Sequence, residues 1–176
     1  EAIGTKTTTL SMYCFWSGEL KIGAIEGVVA TEPGFMHGRE VVQVTYNPSV
    51  TDYSDIVTQS RAVSCADEAF VHNSEQAKQA AKILGEANVR EKGSFRFDKD
   101  RKYYLSKTHY RIVPMTPLQA IRANKLIAEQ KSLEDILSPR QLTLADKIKQ
   151  QPNKKWKNQI GMPIEEGVDL LWAKNR

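Results

Sequence analysis

The eight residues Arg39–Tyr46 alternate, with Val42, Val44 and Tyr46 set against Val41, Gln43 and Thr45, and a period of two belongs to a strand. Asn47-Pro48 breaks that strand, and Thr51 or Asp52 then caps a helix running to about Val63. Upstream, Thr7–Tyr13 is rich in β-favouring residues and reads as a strand leading into Cys14. Gly18–Glu26 places Leu20, Ile22, Ala24 and Ile25 so that most share a helical face, Gly27 ends it, and Gly27–Thr31 is a second short strand. Strand, helix, strand, strand, helix is the order of an α+β chain, a small mixed sheet covered by helices.

The remainder follows the same punctuation. Ala69–His72 is a short strand candidate, and Ser74 caps a helix from Glu75 to Leu84 with Gly85 as its stop. Phe95–Phe97 and Tyr103–Leu105 read as strand or extended segments. Thr116-Pro117 starts a helix to about Gln130, and Ser138-Pro139 repeats the signal for one to about Gln150. A last segment, Ile164–Trp172, is expected to pack on the body. We divide the chain into a domain over 1–137 and a C-terminal helical extension over 138–176.

Chemistry concentrates at Ser11-Met12-Tyr13-Cys14-Phe15-Trp16-Ser17-Gly18-Glu19. The run sets a thiol where a strand gives way to a helical pattern, so free N–H groups and the positive helix end favour thiolate over thiol. Two aromatic rings beside the sulfur form an apolar wall for a small hydrophobic group. The alternative for Cys14 is an inert core residue, since free cysteines are among the most buried. Glu19 reads as a first-turn residue facing the helix dipole.

Cys14-Phe15-Trp16-Ser17-Gly18-Glu19, Gly27-Val28-Val29 and Pro33-Gly34-Phe35 resemble the active-site region of peptide methionine sulfoxide reductase A. That family carries Gly-Cys-Phe-Trp-Gly, a Glu soon after, and Pro-Gly-Val. Gly38–Pro48 resembles the family's Glu-containing strand, which ends in Tyr-Asp-Pro, and Val50–Asp55 resembles the helix start behind it. Likeness is good from Cys14 to about Val57, weak to Tyr110, faint at Val113–Gln119, and absent beyond Leu137. Tyr13 and Ser17 stand where the family has Gly. The longer glycine-rich loop that the family places between Phe35 and Gly38, with a substrate-contacting Tyr, is missing. Gly38 stands at the family's His, with His37 adjacent but out of register, and no cysteine follows in the C-terminal region.

The resemblance implies a ferredoxin-like two-layer sandwich and a thiol reduction of methionine-S-sulfoxide, free or in proteins, through a Cys14 sulfenic acid. Such a reaction needs a thiolate, an acid for the departing oxygen and an apolar slot for the methyl group. Cys14 supplies the first, Glu40 stands where the family's acid lies, and Phe15 and Trp16 supply the slot. A carboxyl held against aromatic rings is disfavoured as an anion, which suits an acid; the plainer reading of Glu40 is a surface carboxylate paired with Arg39 or a Lys. Tyr110 is a candidate oxygen donor, while a competing register pairs Asp98 with Tyr103. Cys65 is the one internal candidate for resolving the sulfenic acid, and a thioredoxin-like protein or small-molecule thiol is the external one. A non-catalytic binding protein and a thiol redox protein cycling Cys14 and Cys65 are the other functional readings.

Composition limits the remaining classes. At 176 residues and 40% hydrophobic, the chain is long and apolar enough for a core. Two cysteines are too few for a disulfide scaffold and lack zinc-ligand spacing, and His72 and His109 read as structural, so neither metal nor cofactor is expected. No apolar run approaches the ~20 residues of a membrane helix. The net charge is a mild +4, and the basic stretches Lys147-Ile148-Lys149 and Lys154-Lys155-Trp156-Lys157 are short, so we read a solvated surface and no nucleic-acid partner. A start at Glu1 rather than Met suggests a removed leader and a periplasmic or secreted location, with the cytoplasm as alternative.

Overall fold

The computed structural model describes residues 4–156, and the chain divides into two compact units at the Arg101–Lys102 bond. The expected segment Ile164–Trp172 lies outside the described residues.

The first unit runs β1 (Lys6–Ser11), α1 (Phe15–Ile22), β2 (Val28–Met36), β3 (Arg39–Tyr46), α2 (Tyr53–Ala62), β4 (Glu68–Val71), α3 (Ser74–Leu84), a 3-10 turn (Glu86–Asn88), β5 (Val89–Glu91) and β6 (Arg96–Phe97). The strands form one sheet in the order β5-β4-β1-β3-β2-β6. Among the described strands, only β4 and β5 pair in parallel. The inner order β4-β1-β3-β2, with α1 between β1 and β2 and α2 between β3 and β4, is the split βαβ of a ferredoxin-like sandwich. The α+β class and the small mixed sheet agree with the sequence reading.

Register explains the two layers. Leu10 pairs with Val42 and Thr8 with Val44, so these side chains share one face. A Cβ added at Gly18 would lie 3.1 Å from Val42 Cγ2, which puts that face under α1. Ser11, paired with Val41, points the other way, where Met36, Val41 and Phe70 are buried with Phe95 packed on them. Glu68, on that same face, is 6% exposed and ion-paired to Arg39 at 2.9 Å and Arg90 at 3.0 Å.

The strand β3 has the bounds its alternation called for. The helix α1 does not: it begins at Phe15 and stops at Gly23, not over Gly18–Glu26. Its buried stripe is Phe15, Gly18, Glu19 and Ile22, a helical spacing that a glycine and a glutamate conceal. Likewise β2 continues through Pro33-Gly34 to Met36. The hairpin to β3 turns on two residues, His37 (φ 49) and Gly38 (φ 76), both left-handed as a type I′ turn requires.

The second unit contains α4 (Tyr103–Ser106), a 3-10 turn (His109–Ile112), α5 (Pro117–Ala128) and α6 (Pro139–Gln150). Tyr103–Leu105 is therefore helical and not extended. One short turn suffices to bury Leu105, whose N–H donates to Asn124 Oδ1 at 3.1 Å, and that tertiary contact overrides the β preference of the tyrosines. Thr116 with Gln119, and Ser138 with Gln141, form complete capping boxes, with Pro at the first helical position in both. Leu133, Leu137, Leu144 and Ile148 belong to the core of this unit.

Candidate functional site

Cys14 is the N-cap of α1, in extended backbone (φ −137, ψ 107), and its side chain makes no capping bond. The thiol thus sits at the positive end of the helix, half-buried, while the neighbouring Tyr13 is 94% exposed. Strand β1 aims the chain at this point. Its neighbour β3 starts beside it, and the Met12 N–H donates to the Glu40 carbonyl at 3.3 Å.

That pairing carries the Glu40 side chain to Cys14. The backbone N–H of Phe15, the residue following the thiol, donates to Glu40 Oε2 at 2.9 Å. A carboxylate is therefore locked to the first turn of the helix that Cys14 caps. Arg39 is ion-paired with Glu68 at 2.9 Å and not with Glu40.

The aromatic wall is built from two elements. Phe15 is 5% exposed, tilted against Trp16 with centroids 5.8 Å apart and edge-on to Phe35 at 5.2 Å. Phe35 is the cross-strand partner of Glu40, and the Arg96 guanidinium lies 4.3 Å from its ring centroid. Asp98 joins the same group: its Oδ2 accepts from Trp16 Nε1 at 3.4 Å, and its own N–H donates to the Pro33 carbonyl at 2.9 Å. The short pairing of β6 with Gly34 and Phe35 places it there.

Cys14, Phe15, Trp16, Glu40 and Asp98 thus converge. Tyr103 and Tyr110 belong to the second unit, where Tyr103 packs edge-on to Tyr104 at 5.4 Å and Tyr110 lies 4.2 Å from the His109 ring. Cys65 is 2% exposed, and both cysteines are free thiols. Burial pushes the Cys65 thiol up, Lys21 opposes this, and Asp67 and Cys14 add to it. The Cys65 Sγ–H is directed at the Val63 carbonyl, 3.4 Å away.

Two residues take places that the sequence reading did not give them. Phe35, part of the Pro33-Gly34-Phe35 likeness, joins the aromatic wall through its register opposite Glu40. Glu19 lies in the second turn of α1, not the first; it is 2% exposed and accepts from buried Thr31 Oγ1 at 3.0 Å. Reading the helix from Phe15 would have put Glu19 on the buried stripe. Among the described residues, no group of three or more His, Cys, Asp and Glu converges on a common point. No helix there is long and apolar enough to cross a membrane.

Three curated relatives match this chain. Peptide methionine sulfoxide reductase MsrA of Methanococcus maripaludis strain C5 is 37% identical over 70 residues, covering 30% of this chain and 45% of the relative. The strain C6 and C7 proteins of the same description are 36% and 31% identical over the same length and shares. This chain resembles methionine sulfoxide reductase A. It spans about half the length of the curated relatives it matches, so the likeness is partial. No protein-family model matches the chain.

Proposed function

We propose that this protein reduces methionine-S-sulfoxide, free or within polypeptides, with Cys14 as nucleophile and Glu40 as proton donor. The observation that carries this reading is the hydrogen bond from the Phe15 N–H to Glu40 Oε2 at 2.9 Å, which holds a carboxyl group at the helix end capped by the thiol. Nucleophile and acid need that mutual placement before any question of proton affinity arises.

The methyl group of the substrate rests against Phe15 and Trp16, and Asp98 holds the indole through Nε1. The Cys14 sulfur attacks the sulfoxide sulfur, and Glu40 delivers a proton to the oxygen as the S–O bond breaks. The hydroxide so released attacks the Cys14 sulfur of the new S–S bond, that bond breaks with its electron pair going to the substrate sulfur, and methionine leaves with Cys14 as a sulfenic acid. A thiol then attacks the sulfenic acid, forming a disulfide and releasing water. With Cys65 buried and its thiol pushed up, a thioredoxin-like protein or small-molecule thiol is the better supplier of that step.

The two-residue His37–Gly38 turn favours a second reading, a pocket that binds methionine sulfoxide without turnover. The methionine sulfoxide reductase A family carries a substrate-contacting loop where this hairpin closes directly. The deciding experiment mixes reduced protein with each methionine sulfoxide epimer and no added reductant. One methionine formed per protein from the S epimer, with Cys14 oxidised, supports the enzyme. Saturable binding without product supports the binding protein.

A further inference from the structure

The second unit holds a cleft of about 820 Å3 between the segment Ser106–Ile112 and the end of α6 with the residues following it. The fixed charge of its described lining is of one sign, with the Asp146 carboxylate near enough to act on the lining residue His109. Lys107 and Arg111 contribute from one wall and Lys149, Lys154 and Lys155 from the other, and no Asp or Glu is among its described lining residues. The Lys154 ammonium lies 4.3 Å from the Trp156 ring centroid, and the indole N–H donates to the Gln151 carbonyl at 3.4 Å, which holds this ring at the cleft.

Part of this has a local cause. Cations at a helix C-terminus are favoured by its dipole, and Lys149 lies in the last turn of α6. Lys107 caps the C-terminus of α4 with its ammonium 4.7 Å from the Tyr103 ring centroid, and Arg111 lies in the last turn of a 3-10 helix. These one-turn elements carry far less dipole than α6, so it is their convergence on one cleft with Lys149 that stands out. With Lys154 engaged on the Trp156 ring, the other four cations gathered in one concavity raise its potential and attract anions. In the sequence only Lys147-Ile148-Lys149 and Lys154-Lys155-Trp156-Lys157 are visible, because the other wall lies about forty residues upstream.

We propose that this cleft binds a nucleotide, its phosphates against Arg111, Lys107, Lys149 and Lys155 and its base against Trp156. Arg111 offers a planar fork suited to two phosphate oxygens, and lysines add point charges. The volume suits a ligand of this size. A ring set among cations favours a nucleotide over an acidic peptide, which would gain nothing from stacking. Free nucleoside triphosphate and a unit of single-stranded nucleic acid present the same chemistry.

The test measures binding of a fluorescent twelve-nucleotide oligothymidylate to the full chain by anisotropy, between 50 and 200 mM salt. ATP and polyglutamate serve as competitors. Variants are Trp156→Ala, Arg111→Gln and Lys107→Gln, each checked for its parental circular dichroism. Trp156→Ala is expected to weaken binding at least about fivefold. Each charge variant should lower the slope of log affinity on log salt by about 0.7. Competition by ATP identifies free nucleotide as the source, and its failure identifies the strand; both support the site. No binding by the parent protein at 50 mM salt overturns the proposal. So does binding that polyglutamate displaces as well as ATP and that Trp156→Ala leaves unchanged, which would make the cleft a general polyanion surface. These readouts do not involve Cys14, so the sulfoxide assignment stands or falls separately.

Discussion

At the scale of single residues, the proposed chemistry separates three side chains by what each must do. Cys14 forms the new bond to oxygen, so Cys14→Ser is expected to yield no methionine in a single turnover, a hydroxyl being a far weaker nucleophile at neutral pH. Glu40→Gln keeps an acceptor for the Phe15 N–H, and hence the local geometry, while removing the transferable proton. The chemical step should slow about 10²–10⁴-fold with melting unchanged. Rapid-quench measurement of methionine checks this, and a parental rate would make Glu40 a purely structural acceptor. Cys65 can enter only once the sulfenic acid exists. Cys65→Ser should therefore still form one methionine per protein and leave Cys14 as a sulfenic acid visible in the intact mass. Failure to complete that first turnover would place Cys65 in the attacking machinery or the fold.

Elements decide whether those side chains meet, and β6 is the one on which Asp98 depends. It can approach β2 because residue 34 is glycine. An added Cβ would stand 2.5 Å from the Arg96 carbonyl oxygen and 2.5 Å from the Phe95 ring. Gly34→Ala must push β6 outward, drawing Asp98 from the Trp16 indole. We expect a loss of about 1–3 kcal/mol in urea unfolding, and a rise in KM for methionine sulfoxide that exceeds any fall in kcat. Unchanged KM would show that the contact between Asp98 and Trp16 does not position the ring. Much at this scale was legible beforehand. Alternation gave away β3, and Thr116-Pro117 and Ser138-Pro139 announced α5 and α6, because caps and period-two patterns are local signals. The rest depended on distant partners. β5 is three residues long and exists through its parallel pairing with β4, and α4 forms because Leu105 has a buried site. Glu19 went unrecognised because a carboxylate on a buried stripe carries no hydrophobic signature. Cys14, Phe15, Trp16 and Glu40 were legible as a group through family likeness, and Asp98 only as one of two competing registers.

Over the whole molecule, the buried titratable groups set a pH window for stability. Burial chiefly, with Lys92 adding, lowers the affinity of His72 for a proton below the ordinary 6.5. Burial, with Lys149 adding and Asp146 opposing, does the same for His109 in the second unit. Unfolded chains then bind more protons than folded ones near that pH, so stability rises with pH there. This contribution is complete above about pH 6.5 and is lost as pH falls towards the lowered folded values. Tyr53 and Cys65 act oppositely. Burial raises the Tyr53 phenol to about 12, with the neighbouring Thr8 side chain opposing and Tyr46 adding, and raises the Cys65 thiol. Both favour the neutral folded form, and their contribution is present below the ordinary values of 10.0 and 9.0 and disappears as pH climbs through the raised ones. Urea midpoints should therefore be highest between about pH 6.5 and 9 and decline on both sides. His72 offers the cleaner limb to test, because below pH 5 ordinary carboxylates begin to titrate as well. His72→Gln removes the ionisable ring while leaving a side chain able to meet Thr9 Oγ1, now 3.2 Å from His72 Nε2. The variant should show a flatter dependence between pH 5 and 7 than the parent, with its alkaline limb unaltered. An acid limb as steep as the parent's would mean that His72 titrates alike in folded and unfolded chains, and that burial under the Thr9 hydroxyl does not restrict its protonation.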